Sequence, residues 1–110
     1  MSGGMENLLT GAVVKGLYPV CDYWQLVTDA PIVTIYNPFR VLDGGRALPP
    51  PEYGRLCGRR ITAEEYLEEA YYRLILEHGA ELCISLRPQD YTCPEGVYLF
   101  NSNEGLFVVF

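Results

Sequence analysis

Tyr72–Leu86 reads YRLILEHGAELCISL. Apolar residues alternate on each side of His78-Gly79: Tyr72, Leu74 and Leu76, then Leu82, Ile84 and Leu86. A period of two belongs to a half-buried strand, and an x-Gly pair between two such runs suits a tight hairpin turn. A rival reading begins at Thr62. Tyr66, Leu67, Ala70, Tyr71, Leu74 and Ile75 also fall at helical spacing, with Glu64, Glu65, Glu68, Glu69, Arg73 and Glu77 on the opposite face. Thr62 with Glu65 has the form of a capping box, and Gly79 that of a C-terminal cap. The stretch alone does not separate a long helix from a hairpin.

An earlier segment does. In Trp24–Ile35, WQLVTDAPIVTI, the residues Trp24, Leu26, Val33 and Ile35 alternate around a turn at Asp29-Ala30-Pro31. Pro31 and the β-branched Val27, Ile32, Val33, Thr34 and Ile35 make this a poor helix and a good strand pair. Upstream, Gly11-Ala12-Val13-Val14 matches Gly58-Arg59-Arg60-Ile61; downstream, each copy leaves through a proline, in Asn37-Pro38 and Arg87-Pro88. A repeat over approximately residues 11–38 and 58–88 makes the second copy a hairpin too. Residues 71–77 are then predicted to be extended and paired with 81–87, and the helix shrinks to about 62–69.

Working outward, Gly11 to Tyr18 reads as a first strand, and residues 1–8 as a lead-in. A third hairpin joins Val97-Tyr98-Leu99-Phe100 to Leu106-Phe107-Val108-Val109-Phe110 through Asn101–Gly105. So apolar a final strand is expected to be paired within a sheet, because an exposed edge of this kind aggregates. Residues 40–56 contain Gly44-Gly45 and Pro49-Pro50-Pro51 and read as a mobile linker loop between the halves. The expected fold is mainly β, a β-rich α+β domain. It has antiparallel sheet of about six or seven strands, from two similar β-hairpin units plus a C-terminal hairpin, and one short helix near 62–69. Trp24, Leu26, Val33, Ile35, Leu74, Leu76, Leu82, Ile84, Leu99, Phe107 and Val109 are the expected core.

The 110 residues suit one domain, spanning 1–110, and with 49% apolar and 13% aromatic residues the chain is globular rather than disordered. No apolar run approaches the ~20 residues of a membrane span. MSGGMENLL lacks the basic and apolar sections of a signal peptide, so a cytoplasmic protein is expected. The net charge is −6, and the basic residues are scattered except for Arg55, Arg59 and Arg60, a pattern that points away from nucleic acid. Cys21, Cys57, Cys83 and Cys93 form no C-x-x-C pair and have no histidine at ligand spacing, so they are expected to be buried, reduced thiols with no metal and no cofactor.

Catalytic signals are sparse. His78 sits in the proposed turn without an assured serine or cysteine partner, and Asp43-Gly44-Gly45 lacks the lysine of a phosphate loop. With no nucleophile, base and orienting group to assemble, the sequence points away from an enzyme. The leading expectation is a non-catalytic protein-interaction module, an inhibitor or immunity-type protein. It would meet a protein partner or a second copy through an acidic β-rich surface at Tyr53, Glu64, Glu65, Glu68 and Glu69. The alternative is a small-ligand or anion-binding domain at the hairpin exits. There Arg40 and Arg87 would supply charge, and Tyr36, Asn37 and Tyr91 hydrogen bonds, for a small anion or a partner's carboxylate. Against that stands a purely structural use, with Arg87 paired to Asp90 and Arg40 to Asp43.

The phrases DYWQL…YNPFR within Asp22–Arg40 and SLRPQDY…CPEG within Ser85–Gly96 resemble those of small uncharacterised bacterial proteins. The resemblance implies a compact β-rich domain of two similar halves and supplies no activity or functional residue. More loosely, the size and acidity are similar to those of immunity proteins that neutralise toxins.

Overall fold

The strands around Trp24 and Tyr72 lie where the repeat puts them. The computed structural model describes residues 8–101 and 106–110. β1 (Val14–Val20), β2 (Tyr23–Thr28) and β3 (Ile32–Ile35) form a meander, and β6 (Ile61–Leu67), β7 (Tyr71–Leu76) and β8 (Ala80–Ser85) form a second one. Trp24 faces Ile35 and Leu26 faces Val33; in the second meander Tyr72 faces Ile84 and Leu74 faces Leu82. Both meanders also carry a register shift at the start of their first strand, between Val14 and Gly16 and between Ile61 and Ala63. The expected pairing of 71–77 with 81–87 is thus observed, as Tyr71–Leu76 with Ala80–Ser85.

The two copies meet across a local pseudo-twofold axis. Val13 and Arg60 form an isolated antiparallel bridge. Around it the amide of Val14 donates to the carbonyl of Arg59 at 2.9 Å, and the amide of Ile61 to that of Ala12 at 2.8 Å. One step further out, Gly58 donates to Val14 and Gly11 to Ile61, each at 2.8 Å. Each contact has its mate in the other copy. Gly11 and Gly58 occupy equivalent places with φ of +97° and +87°, backbone that a residue with a Cβ resists.

Each meander is followed by a hairpin that joins the other copy's sheet. β4 (Phe39–Asp43) and β5 (Arg46–Ala47) follow the first meander, yet β4 pairs with β8. β9 (Val97–Asn101) and β10 (Leu106–Val109) follow the second, yet β9 pairs with β3. The results are two five-stranded antiparallel sheets, ordered β1-β2-β3-β9-β10 and β5-β4-β8-β7-β6. The registers make the hairpins equivalent as well: Phe39 faces Ile84 as Val97 faces Ile35. The structural equivalence of the two halves therefore extends through both exchanged hairpins.

The fold is mainly β, as expected, with corrections. Among the described residues ten strands replace six or seven, because β4, β5 and β6 add to the first strand and the three hairpins. Residues 62–69 are no helix; Ile61–Leu67 is β6, and the Thr62 hydroxyl donates to the Ile75 carbonyl instead of capping a turn. Alternating packing against β7 outweighed the helical pattern, a tertiary override of local preference. Residues 40–56 are no linker loop: they hold β4, the Gly44-Gly45 turn, β5 and a 3-10 helix at Pro50–Leu56.

The core forms where the inner faces of the two sheets meet. Leu26, Val33, Ile35, Leu74, Leu76, Leu82, Ile84 and Leu99 are buried, as expected. Trp24 packs partly buried against this core, while Val109 is exposed. The side chain of Phe107, the turn residues 102–105 and residues 1–7 of the lead-in lie outside the described residues. Leu8, the last residue of the expected lead-in, packs partly buried against the core, and Leu9 after it is buried in it. Three of the four thiols, Cys21, Cys57 and Cys93, are exposed rather than buried; Cys83 is half-buried, and all four are free. Among the described residues no helix is long and apolar enough to cross a membrane.

Candidate functional site

β8 presents Leu82 and Ile84 to the core, so Cys83 and Ser85 face outward, by the alternation of a strand. Beside Cys83, the registers set Arg40 on β4 and Arg73 on β7, and Glu65 on β6 faces Arg73. Glu65, Arg73, Cys83 and Arg40 thus form one row across the outer face of the second sheet. Arg73 is occupied: it is paired to Glu65, lies 3.7 Å from Glu81, and its guanidinium is 5.6 Å from the centre of the Tyr71 ring. Arg40, at the other end of the row, is exposed and forms no ion pair among the described residues.

A cleft of about 570 Å³ opens at this end of the sheet. Its walls are Phe39, Ala70 and Tyr71, and its polar groups come from Arg40, Cys83, Ser85, Arg87 and Asp90. Arg87 and Asp90 belong to the segment that leaves β8, which turns through a short 3-10 helix at Pro88–Asp90. The Ser85 hydroxyl bonds to the Asp90 carboxylate, and the Arg87 amide donates to the Ser85 Oγ at 3.3 Å. Arg87 Nε lies 3.6 Å from Asp90 Oδ2, beyond hydrogen-bond range, and the arginine side chain is 62% exposed. Burial pushes the Cys83 thiol above its usual value, while the charge of Arg40 pulls it the other way. The net upward shift leaves it a protonated thiol at neutral pH rather than a nucleophilic thiolate.

The expected site residues separate into three places. Arg40 and Arg87 come together in this cleft. The expected pairing of Arg87 with Asp90 is present as a long contact. That of Arg40 with Asp43 is not, because Asp43 is held by Arg59 at 3.0 Å and Arg55 at 3.4 Å. Asn37 is buried beneath the chain and donates to the Ser85 carbonyl at 2.8 Å, tying the exit of β3 to the end of β8. Tyr36 pairs its ring with Tyr23 and lines, with Asn37, a separate groove beside Trp24 and Tyr53. Tyr91 lies in a third groove with Tyr66 and Phe110. The exits meet because the exchanged β4 pairs with β8, and not because the pseudo-axis passes between them.

The acidic surface also comes apart. Tyr53 is buried, its ring 5.2 Å from Trp24 and 5.8 Å from Phe39, where it packs the core edge instead of anchoring a partner. Glu64 accepts bonds from the amides of Leu9 and Thr10, each at 2.7 Å, from the Thr10 hydroxyl at 2.8 Å and from the Tyr72 hydroxyl at 2.5 Å. Glu65 is paired to Arg73. A strand sends Glu64 and Glu65 to opposite faces, whereas the helical reading kept the cluster on one wet face. Glu68 and Glu69 alone remain exposed, in the β6–β7 turn.

Cys83, Ser85 and Tyr71 were not singled out for the cleft; the outward half of the 71–77 and 81–87 alternation would have named them. No protein-family model, no curated protein and no solved structure matches this chain.

Proposed function

We propose that this protein is a non-catalytic recognition domain that takes a carboxylate of a protein partner into the cleft between Arg40 and Arg87. The observation that carries the reading is Arg40, a guanidinium at a cleft wall with no acid of its own among the described residues. A guanidinium offers five donors in a planar fork that matches a carboxylate, and it stays charged at any physiological pH. Arg87 keeps donors to spare, because its contact with Asp90 is long. Tyr71, on the same outer face, gives the cleft an aromatic wall, beside which a charge-assisted bond is stronger than in open water. The surrounding −6 charge favours a carboxylate carried on a partner with basic surroundings over a free small anion.

The test uses two short peptides, acetyl-Ala-Glu-Ala-amide and its glutamine counterpart, titrated into the protein by calorimetry. The glutamate peptide binds and the glutamine peptide does not, and Arg40→Gln weakens binding by about tenfold or more, the worth of a lost charged hydrogen bond. Arg40→Gln is exposed and keeps the far-ultraviolet circular dichroism of the parent. Equal binding of both peptides, no binding of either, or unchanged affinity in the variant would overturn the proposal.

A further inference from the structure

The two sheets have four lateral edges, β1, β10, β5 and β6, and three of them are protected. β1 and β6 each carry a register shift, and the first residue of each bonds across the pseudo-axis to the chain that leads into the other, Val14 to Gly58 and Arg59 and Ile61 to Gly11 and Ala12. Pro19 further blunts β1, and the charged pair Glu64-Glu65 lies in β6. β5 has two residues and runs on into Pro49 and the 3-10 helix that begins at Pro50. Short strands, bulges, charges and prolines are the means by which proteins keep a strand edge from pairing further.

β10 occupies the place equivalent to β5 and has none of these. Leu106–Val109 is four residues long, without charge, proline or glycine, and its register with β9 runs unbroken from Leu106 facing Asn101 to Val109 facing Tyr98. Phe110 holds the end of this strand in place, stacked on Tyr66 at 5.3 Å and tilted against Tyr72 at 4.9 Å. Beyond the β9 pairing, the other edge of β10 has no strand beside it among the described residues. The apolar C-terminal strand is therefore paired on one side, where the sequence led us to expect cover on both.

We infer that the partner of this edge is β10 of a second copy of the same chain, paired antiparallel so that the first sheet runs continuously through the dimer. In antiparallel self-pairing residue i of one copy faces residue j of the other and j faces i, so on so short a strand a charge is set against the partner strand and brought toward its own copy, which is destabilising. Leu106–Val109 carries no charged residue and so passes that requirement. The sheet beside it passes too. The outward row that ends at Val109 continues through Tyr98, Thr34, Gln25 and Tyr18, and exposed Ile32 and Phe100 lie alongside; none is charged. Its counterpart on the other sheet is the charged row of Arg40, Cys83, Arg73 and Glu65. In a chain of net charge −6, a surface from which charge has been cleared is one over which two copies meet with little repulsion, and this edge is such a surface. The face is isologous, as a twofold dimer requires.

Sedimentation velocity of the full chain, at low and high salt, tests this. The wild type sediments as a dimer at micromolar concentration and stays one in high salt, because no exposed charge is in the interface. Val109→Lys, at a position 45% exposed, puts a lysine on the edge strand of each copy, a charge that resists further edge pairing, and returns the protein to a monomer with unchanged circular dichroism. As a second variant, Glu52→Lys, beside β5 at the edge of the second sheet opposite β6, leaves the dimer intact. A monomeric wild type, a dimer that dissociates with salt, or a dimer that survives Val109→Lys would overturn the inference.

Discussion

Glu64 shows what a charged residue does when a strand carries it inward. Its two oxygens accept three bonds from Leu9 and Thr10 and one from Tyr72, pinning the entering chain to β6. Burial first, and the carboxylate beside it second, hold the Tyr72 phenol protonated far above its usual range. Glu64→Gln turns one acceptor into a donor facing N–H groups, and we expect it to cost about 1–3 kcal/mol by urea unfolding at neutral pH. Asp43 gives a pH-dependent prediction. The Arg59 hydrogen bond lowers its carboxyl below the usual range against the upward push of burial, with the charges of Arg59 and Arg55 and a bond from Arg55 adding to the fall. Folded, it binds fewer protons than unfolded between that lowered value and the ordinary ~3.9. Its contribution is therefore complete above that window and is lost as pH falls through the folded value. Asp43→Asn should reduce stability at pH 7 and make progressively less difference as the pH is taken below the ordinary ~3.9, measured by urea unfolding across that range.

The elements were legible in the sequence where period and repeat agreed. Trp24, Leu26, Val33 and Ile35 against Tyr72, Leu74, Leu82 and Ile84 set both inner hairpins in their observed registers. The matched glycines Gly11 and Gly58 fall on the pseudo-axis contacts. Both have positive φ and open space where a Cβ would stand, so the penalty of a side chain there is in the backbone alone. Gly11→Ala and Gly58→Ala are each expected to lose about 1–2 kcal/mol, and by similar amounts, in chemical denaturation. Unequal losses of several fold would argue against the equivalence. β6 was misread because Thr62–Glu69 satisfies helical spacing as well as its neighbours satisfy strand spacing, and only pairing with β7 decides. The hairpin exchange left no local mark at all. Val41 facing Leu82 and Leu99 facing Val33 are contacts across long sequence separation, and nothing in Phe39–Ala47 or Val97–Val109 states which sheet it will join.

At the scale of the molecule, two similarly built sheets carry different outer faces. That of the first is uncharged toward β10; that of the second is charged and ends at Arg40, where the exchanged hairpin brings Arg40 to Cys83 and the cleft it shares with Arg87. The candidate residues Arg40 and Arg87 were visible from the two proline exits. Their meeting depends on the β4–β8 pairing, which was not visible, and the scatter of Tyr36, Asn37 and Tyr91 follows from the same pairing. The reading of function rests on that cleft holding a carboxylate. The most direct measurement is a nuclear magnetic resonance titration of the labelled protein with acetyl-Ala-Glu-Ala-amide, following the backbone amides and the arginine Nε–H signals. The account predicts saturating shifts at Arg40 and Arg87 Nε–H and at the amides of Tyr71, Cys83 and Ser85. The first sheet should stay unmoved, and the glutamine peptide should give no shifts. Shifts confined to the first sheet, or arginine signals that stay still while the peptide binds elsewhere, would contradict it.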